Sequence, residues 1–348
     1  MRNTNTPIRV IVGDDSGFIR ILLSDYLRQD KEVELVGLAA NGKEVVDLAM
    51  KVRPDVVITD LVMPDYDGVY AVQSLMKLNP LPIVLLSSLS RTDQRVFDAL
   101  AAGAAEFMGK PQGQPMPKGA YAQRLLGLIK TLAQQESGGV KPSATTVIQG
   151  PLSVPKEVKH RVVVIGASTG GPAVLENLVR HLPEGMPVPV VIAQHMPHMF
   201  LQAFAKRLNG LSKLTVQVAE EGEVLKPGNV YFSHGEANLC LEYRRASKLI
   251  RASYTSESWD EFNFPSVDCL FHSASKAMGS EVLGVILTGM GRDGGRGLEA
   301  IAKAGGCTMG QDEDSCVVYG MPAFARSKNA VQHTVSATTL PEKLLTLL

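Results

Sequence analysis

Residues 162–171 constrain the fold more tightly than any other stretch of the chain. Val162-Val163-Val164-Ile165 is an unbroken β-branched run, and it stops at Gly166-Ala167-Ser168-Thr169-Gly170-Gly171. A run without polar alternation reads as a strand covered on both faces, the condition of a parallel sheet between helices. The glycines end it in a tight turn, and Pro172 with Val174, Leu175, Leu178, Val179 and Leu182 at helical spacing then opens a helix. Ser168 therefore stands at a strand-to-helix turn, where the first helical N–H groups lack partners and attract negative charge. Taken alone, the turn fits a close helix–sheet contact, a phosphate or dinucleotide cradle, or a seat for a nucleophile. Its spacing, Gly-x-x-x-Gly-Gly, is not G-x-G-x-x-G, and no lysine follows as a P-loop would need.

The same strand-to-helix unit recurs along the chain. Strands are predicted at Ile8–Val12, Val33–Leu38, Val56–Thr59, Ile83–Leu86 and Glu106–Met108. Helices alternate with them at Ile19–Leu27, Gly42–Met50, Val69–Leu78, Val96–Ala101 and from about Tyr121. This order predicts a five-stranded doubly wound sheet over residues 1–130. Residues 131–159 lack apolar periodicity and carry turn residues, so they read as a linker. The pattern resumes over 160–348, with apolar strands at Val188–Ala193 and Val282–Leu287. The predicted class is α/β, with two doubly wound parallel-sheet domains, the second larger than the first. A chain of 348 residues is long for a single core. Aliphatic-rich sheets also match a content of 45% hydrophobic but only 5% aromatic residues.

Charge and cysteine usage exclude several functions. Lys+Arg and Asp+Glu balance at 35 each, so no net field draws the chain to nucleic acid or to an anionic membrane. Cys240, Cys269, Cys307 and Cys316 form no C-x-x-C pair, which argues against a disulfide framework and a zinc site and for reduced thiols. Met1–Ile8 is polar, and no stretch approaches the roughly 20 apolar residues of a membrane span. The expected location is the cytoplasm, without membrane insertion.

In doubly wound sheets ligands bind beyond the carboxyl ends of the strands. In the first domain Asp14 and Asp15, Asp60, Ser87 and Lys110 all follow predicted strands. Closely packed carboxylates repel unless a hard cation joins them, and Mg²⁺ suits such a site beside a phosphoryl group. The segment resembles the receiver domain of bacterial response regulators through Val12-Gly13-Asp14-Asp15-Ser16, Thr59-Asp60-Leu61-Val62-Met63-Pro64-Asp65-Tyr66-Asp67-Gly68, Leu86-Ser87-Ser88 and Gly103 to Pro111. The resemblance implies that Asp60 accepts a phosphoryl group from a histidine kinase. It also implies that Asp14, Asp15, Asp60 and the Val62 carbonyl hold Mg²⁺, that Ser87 and Lys110 contact the phosphoryl oxygens, and that Phe107 is the aromatic that changes rotamer. Gly13 departs from the family's usual apolar residue.

In the second domain Ser168, His195 and Asp293 each follow an apolar strand, so they can meet at one sheet edge if those strands are neighbours. Other readings exist for each. His195 and His198 form H-x-x-H, yet the sequence offers no further cluster to complete a metal site. Asp293 before Gly294 also fits a plain turn. Together the three favour acyl transfer, since a triad is defined by geometry and not by chain order.

The region resembles the catalytic domain of the chemotaxis protein-glutamate methylesterases, the CheB family. Further matching stretches are Glu220-Glu221-Gly222, Leu225-Lys226-Pro227-Gly228, Pro265 to Phe271 and Gln311 to Pro322. The resemblance implies a five-stranded receiver-like domain followed by a larger Rossmann-like methylesterase domain. It also implies a Ser168–His195–Asp293 triad that hydrolyses glutamyl methyl esters on methyl-accepting chemoreceptors and deamidates selected glutamines, without a metal. The backbone N–H groups near Thr169 or Met290 are the oxyanion candidates. In this reading the receiver covers the catalytic edge until Asp60 is phosphorylated. One segment departs from the family: Phe232-Ser233-His234-Gly235-Glu236-Ala237-Asn238 stands where Ala-Pro-Gly-x-x-His is usual, so a histidine usual near the substrate is absent or displaced. The competing readings are a receiver joined to a DNA-binding output domain and a catalytically inactive adaptor.

Overall fold

The structure is a computed structural model that describes residues 6–87, 94–111, 119–134, 152–155, 157–259 and 264–348. The chain divides into two compact units, Met1–Ser143 and Ala144–Leu348. Ser88 and most of the linker expected at 131–159 lie outside the described residues.

The first unit alternates β1 (Ile8–Gly13), α1 (Gly17–Leu27), β2 (Val33–Ala39), α2 (Gly42–Val52), β3 (Val56–Asp60), α3 (Gly68–Leu78), β4 (Ile83–Ser87), α4 (Arg95–Ala101), β5 (Glu106–Gly109) and α5 (Ala120–Gln134). Its sheet is parallel, in the order β2-β1-β3-β4-β5. Side-chain caps start three of the helices: Ser16 accepts from the Ile19 N–H, Asn41 from Glu44 and Asp67 from Tyr70. Each of these caps ends a loop at the carboxyl edge of the sheet, so the chain turns sharply there and delivers the preceding strand-end residue to that edge.

The second unit begins with β6 (Val162–Ala167), α6 (Gly171–His181), β7 (Val190–Gln194), α7 (His198–Leu211), β8 (Thr215–Val218), β9 (Val224–Leu225) and β10 (Asn229–Phe232). It continues with β11 (Asn238–Arg244), β12 (Leu249–Thr255), α8 (Val267–Met278), β13 (Val282–Ile286), α9 (Gly295–Lys303), β14 (Cys307–Gln311), α10 (Met321–Ser327), β15 (His333–Val335) and α11 (Leu340–Leu347). The main sheet is seven-stranded, ordered β15-β14-β13-β6-β7-β10-β8. All its named pairings are parallel.

The order places β6 between β7 and β13. From β6 the chain winds outward through β7 and later returns to β13 on the other side, so the loops after β6 and β13 diverge at a switch point. Val162, Val164, Val191, Val282 and Ile286 of these strands are fully buried, and each stabilises the fold by about 1.5–3 kcal/mol. The fold differs from a purely parallel expectation in one respect. β11, β12 and β9 form a separate antiparallel sheet, whose β11 packs on α8 through Leu239 and Leu241 in the same apolar cluster as Leu270 and Ala274. Its strands mix polar and apolar residues because only one face is covered.

Gly166 shows how tightly α8 seats on β6, since a Cβ there would collide with the Val267 side chain. Gly166→Ala should therefore destabilise the chain by about 1–3 kcal/mol through overpacking. Gly210 lies in α7 with nothing near its missing Cβ, so Gly210→Ala should raise stability by up to about 1 kcal/mol. Thermal melting of the two full-length variants checks both directions.

Candidate active site

Ser168 sits in the turn between β6 and α6, held from both sides. Its N–H donates to the Thr288 carbonyl at 3.0 Å, and its own carbonyl accepts from Gly171 N–H at 2.8 Å. Gly170, at φ +79, caps α6 in the left-handed region, and a Cβ there would also meet Val317 at 2.5 Å. Gly289 lets the loop after β13 lie against the serine, because a Cβ at that position would stand 2.7 Å from Ser168 Cβ. Thr288 fixes that loop: its N–H donates to Gln311 Oε1 at 2.9 Å and its hydroxyl donates to the Thr169 carbonyl at 2.9 Å.

His195 follows β7, anchored by its N–H to the Ala167 carbonyl at 3.0 Å. Gln194, buried beneath it, donates through Nε2 to the Ser168 carbonyl at 3.1 Å and the His195 carbonyl at 3.2 Å. The imidazole lies between the other two functional side chains, with Nδ1 3.1 Å from Ser168 Oγ and Nε2 2.8 Å from Asp293 Oδ2. An ionised carboxylate only accepts, so Nε2 carries the proton and Nδ1 presents its lone pair to the serine hydroxyl. The three strand-end residues of the sequence thus meet in one hydrogen-bonded chain, on the adjoining strands β13, β6 and β7.

Asp293 is 2% exposed. Besides His195, it accepts from Ser266 Oγ at 3.1 Å, Val267 N–H at 2.7 Å, Asp268 N–H at 2.9 Å and Gly294 N–H at 3.0 Å. Burial pushes its carboxyl toward the neutral form. The hydrogen bond and charge of His195, with the Asp268 and Val267 N–H groups, outweigh that and hold it below the usual carboxylate range. Three of these donors belong to the N-cap and first turn of α8, whose dipole also favours the anion.

Sequence reasoning assigned no role to Ser266 or Asn238. Ser266 is both the N-cap of α8, accepting from Cys269 N–H, and a donor to Asp293. A serine ahead of an apolar-periodic stretch was the available signal. Asn238 Oδ1 accepts from Ser266 N–H at 2.7 Å, and its Nδ2 donates to the Glu257 carbonyl at 2.8 Å. Asn238, the last residue of the segment that departs from the family pattern, is fully buried and supports the Asp293 cradle.

The two oxyanion candidates differ in setting. Thr169 is buried, and its N–H has no partner among the described residues, while Met290 is 40% exposed. His198 of the H-x-x-H pair stands with His234 and Glu236, a grouping that does not include His195. Cys240 and Cys269 are free thiols 3.4 Å apart, a contact the scattered spacing concealed.

In the first unit, Asp14, Asp15 and Asp60 bring carboxylate oxygens within 4.8 Å of one another. Lys110 Nζ bridges Asp14 at 2.8 Å and Asp60 at 2.7 Å. Burial raises the Asp60 carboxyl above its ordinary range against the opposing pull of Lys110, and Asp14 adds to the rise. The Val62 N–H hydrogen-bonds the Asp60 carboxyl. Ser87 is buried at the end of β4, where its carbonyl accepts from Lys110 N–H at 2.8 Å, and Phe107 is buried on β5. Among the described residues, no helix is long and apolar enough to cross a membrane.

Comparison with known proteins agrees with this division of the chain. The family model described as CheB methylesterase matches residues 163–344, and that of the response regulator receiver domain matches residues 10–116. A protein-glutamate methylesterase/protein-glutamine glutaminase of Shewanella oneidensis is 40% identical over 343 residues, 97% of each chain. One from Vibrio cholerae is 34% identical over 372 residues, 97% of this chain and 98% of that one. The crystal structure of the Thermotoga maritima CheB methylesterase catalytic domain superposes with a TM-score of 0.53 at 37% identity, covering 55% of this chain and all of that one. Identity of this order over nearly the whole of both relatives establishes that the chain belongs to the CheB methylesterase family, with a response regulator receiver domain ahead of the esterase domain.

Proposed function

We propose that this chain hydrolyses glutamyl methyl esters on methyl-accepting chemoreceptors, releasing methanol and leaving glutamate, and deamidates selected glutamines with release of ammonia. The carrying observation is the Ser168–His195–Asp293 chain, with its 3.1 and 2.8 Å links. His195 Nδ1 takes the Ser168 proton as Oγ attacks the ester carbonyl, and Asp293 orients the ring and stabilises the imidazolium. Thr169 N–H receives the developing oxyanion, with the Met290 backbone as the second candidate donor. The imidazolium then protonates the departing methoxide. Water, deprotonated by the same nitrogen, attacks the acyl-serine and frees the glutamate carboxylate. Ester plus water gives acid plus methanol, so this hydrolysis calls for no cofactor.

Control enters through Asp60, phosphorylated by a chemotaxis-type histidine kinase, which relieves inhibition of the esterase. The donor set of Asp14, Asp15 and Asp60, three carboxylates offering hard oxygens, fits Mg²⁺, and the Val62 carbonyl is the further donor of this reading. Bound there, the ion offsets negative charge on the carboxylates and the incoming phosphoryl group. Lys110, already on Asp60, and Ser87 at the adjacent strand end contact the phosphoryl oxygens, and Phe107 is the aromatic that responds. A phosphoryl group adds about −1.5 to −2 charge at this edge. The proposed setting is the cytoplasm.

Ser168→Ala should remain folded and phosphorylatable while methanol release from methylated receptor membranes falls at least about a thousandfold. Retained turnover would remove Ser168 from the chemistry. With a small-molecule phosphodonor, the wild type should accelerate methanol release and Asp60→Asn should not. A matching response in the variant ends the control reading.

A stability test follows from the raised Asp60 pKa. Because the folded state binds the Asp60 proton more tightly than the unfolded chain, wild-type stability falls as pH rises through the folded pKa. In chelator-treated buffer, Asp60→Asn should melt with wild type at acidic pH, where Asp60 is protonated in both states, and above it at neutral pH. Equal melting temperatures across the range would contradict the raised pKa.

A further inference from the structure

His198 opens α7 just beyond His195 yet takes no part in the triad. It faces the turn between β10 and β11, where His234 and Glu236 lie, and one donor atom from each of the three residues falls within 4.8 Å of the others. The two imidazoles meet edge to face, with ring centroids 6.0 Å apart.

Hydrogen bonds identify where the lone pairs are. His198 Nδ1 bonds the His234 carbonyl, which only accepts, so Nδ1 carries the proton and Nε2 the lone pair. The Gln202 amide, one turn along α7, donates to that Nε2 at 3.1 Å. At His234 the Glu236 backbone N–H donates to Nδ1 at 3.0 Å, so the lone pair is on Nδ1. A histidine whose one ring N–H is tied to a backbone carbonyl, leaving the other nitrogen as acceptor, is oriented as metal-ligating histidines are.

The cluster is also held in place. His234 stacks on Tyr254 at 3.9 Å between centroids. The Tyr254 hydroxyl accepts from His234 N–H at 3.2 Å and donates to the Ala219 carbonyl at 2.9 Å. Gly235, at φ +81, brings the turn against α7, where a Cβ would meet Leu201 at 2.8 Å and the Met196 carbonyl at 3.1 Å. Glu236 is exposed and is the donor best able to adjust.

The geometry points to a binding site for a divalent transition-metal ion of the zinc class, held by His198, His234 and Glu236. Two imidazoles and one carboxylate suit Zn²⁺, Co²⁺ or Ni²⁺ better than Mg²⁺ or Ca²⁺, which prefer oxygen alone. Ligand distances of about 2.0–2.2 Å require the donors to draw together, with the cation replacing the Gln202 amide and the Glu236 N–H at the two lone pairs. The ion would join the β10–β11 turn to the start of α7, next to the segment that carries His195. Its role is that of a clamp and not of a catalytic metal.

The test is a Co²⁺ titration of the chelator-treated full-length chain in excess Mg²⁺, which keeps the receiver carboxylates occupied. The expected result is one equivalent bound, with visible d–d absorption, no near-ultraviolet thiolate band, displacement by Zn²⁺ and a raised melting temperature. His198→Ala, His234→Ala and Glu236→Gln should each weaken binding at least tenfold, whereas His195→Ala should leave it within twofold. Glu236 is exposed, so its amide variant reports on the site even if a histidine variant misfolds. Absence of uptake, a thiolate band, dependence on His195 or unchanged binding by Glu236→Gln would overturn the assignment.

Discussion

The Asp293 carboxylate is almost completely buried, and it is charged because five donors converge on it from His195, the first turn of α8 and Gly294. The rest of this hydrogen-bonded edge depends on that charge. An ionised Asp293 fixes the proton on His195 Nε2, and that tautomer leaves Nδ1 to face Ser168. A neutral Asp293 would offer the ring no such preference. The close fit of α8 on β6, with Val267 packed against Gly166, puts the donors where the carboxylate needs them. Packing and electrostatics are here a single constraint, since a shift of the helix start would strand a buried charge, at a cost of several kcal/mol.

The first unit treats a buried carboxylate in the opposite way. Asp60 has Lys110 and the Val62 N–H as partners, shares the lysine with Asp14, and is left above the ordinary carboxylate range. Asp293 is stabilised so fully that it stays ionised beside His195. Asp60 is left under-compensated at the end of a fully buried strand, at an edge already crowded with negative charge. Such a site gains from any cation that joins it, which fits the proposed phosphoryl chemistry as well as the first site fits proton transfer.

The parallel sheets and the strand-end residues were legible because each signal is local. An apolar run, a glycine turn and a helical spacing all lie within about fifteen residues, and the rule that ligands gather at carboxyl ends of strands supplies the rest. What escaped was set by distance along the chain or by mixed patterning. Asn238 reaches Ser266, and Ser266 reaches Asp293, across separations of 28 and 27 residues that no local window contains. β11 and β12 carry polar residues on their open face and so lack the apolar run that marked the main sheet. His198 was read with His195 because they are neighbours in sequence, whereas the start of α7 turns the two side chains toward different partners.

The order β13-β6-β7 has a consequence for how such an enzyme can be turned on and off. Serine, histidine and aspartate each hang from a different inner strand, and each turn is bolted to a neighbour: Ser168 to Thr288, His195 to Ala167, Asp293 to the α8 start. Pulling the three strands apart would be a change on the scale of unfolding the unit. A signal worth only a few kcal/mol therefore leaves the strand framework in place. What it can alter is traffic, the rate at which a substrate reaches the edge where Ser168 and His195 already meet.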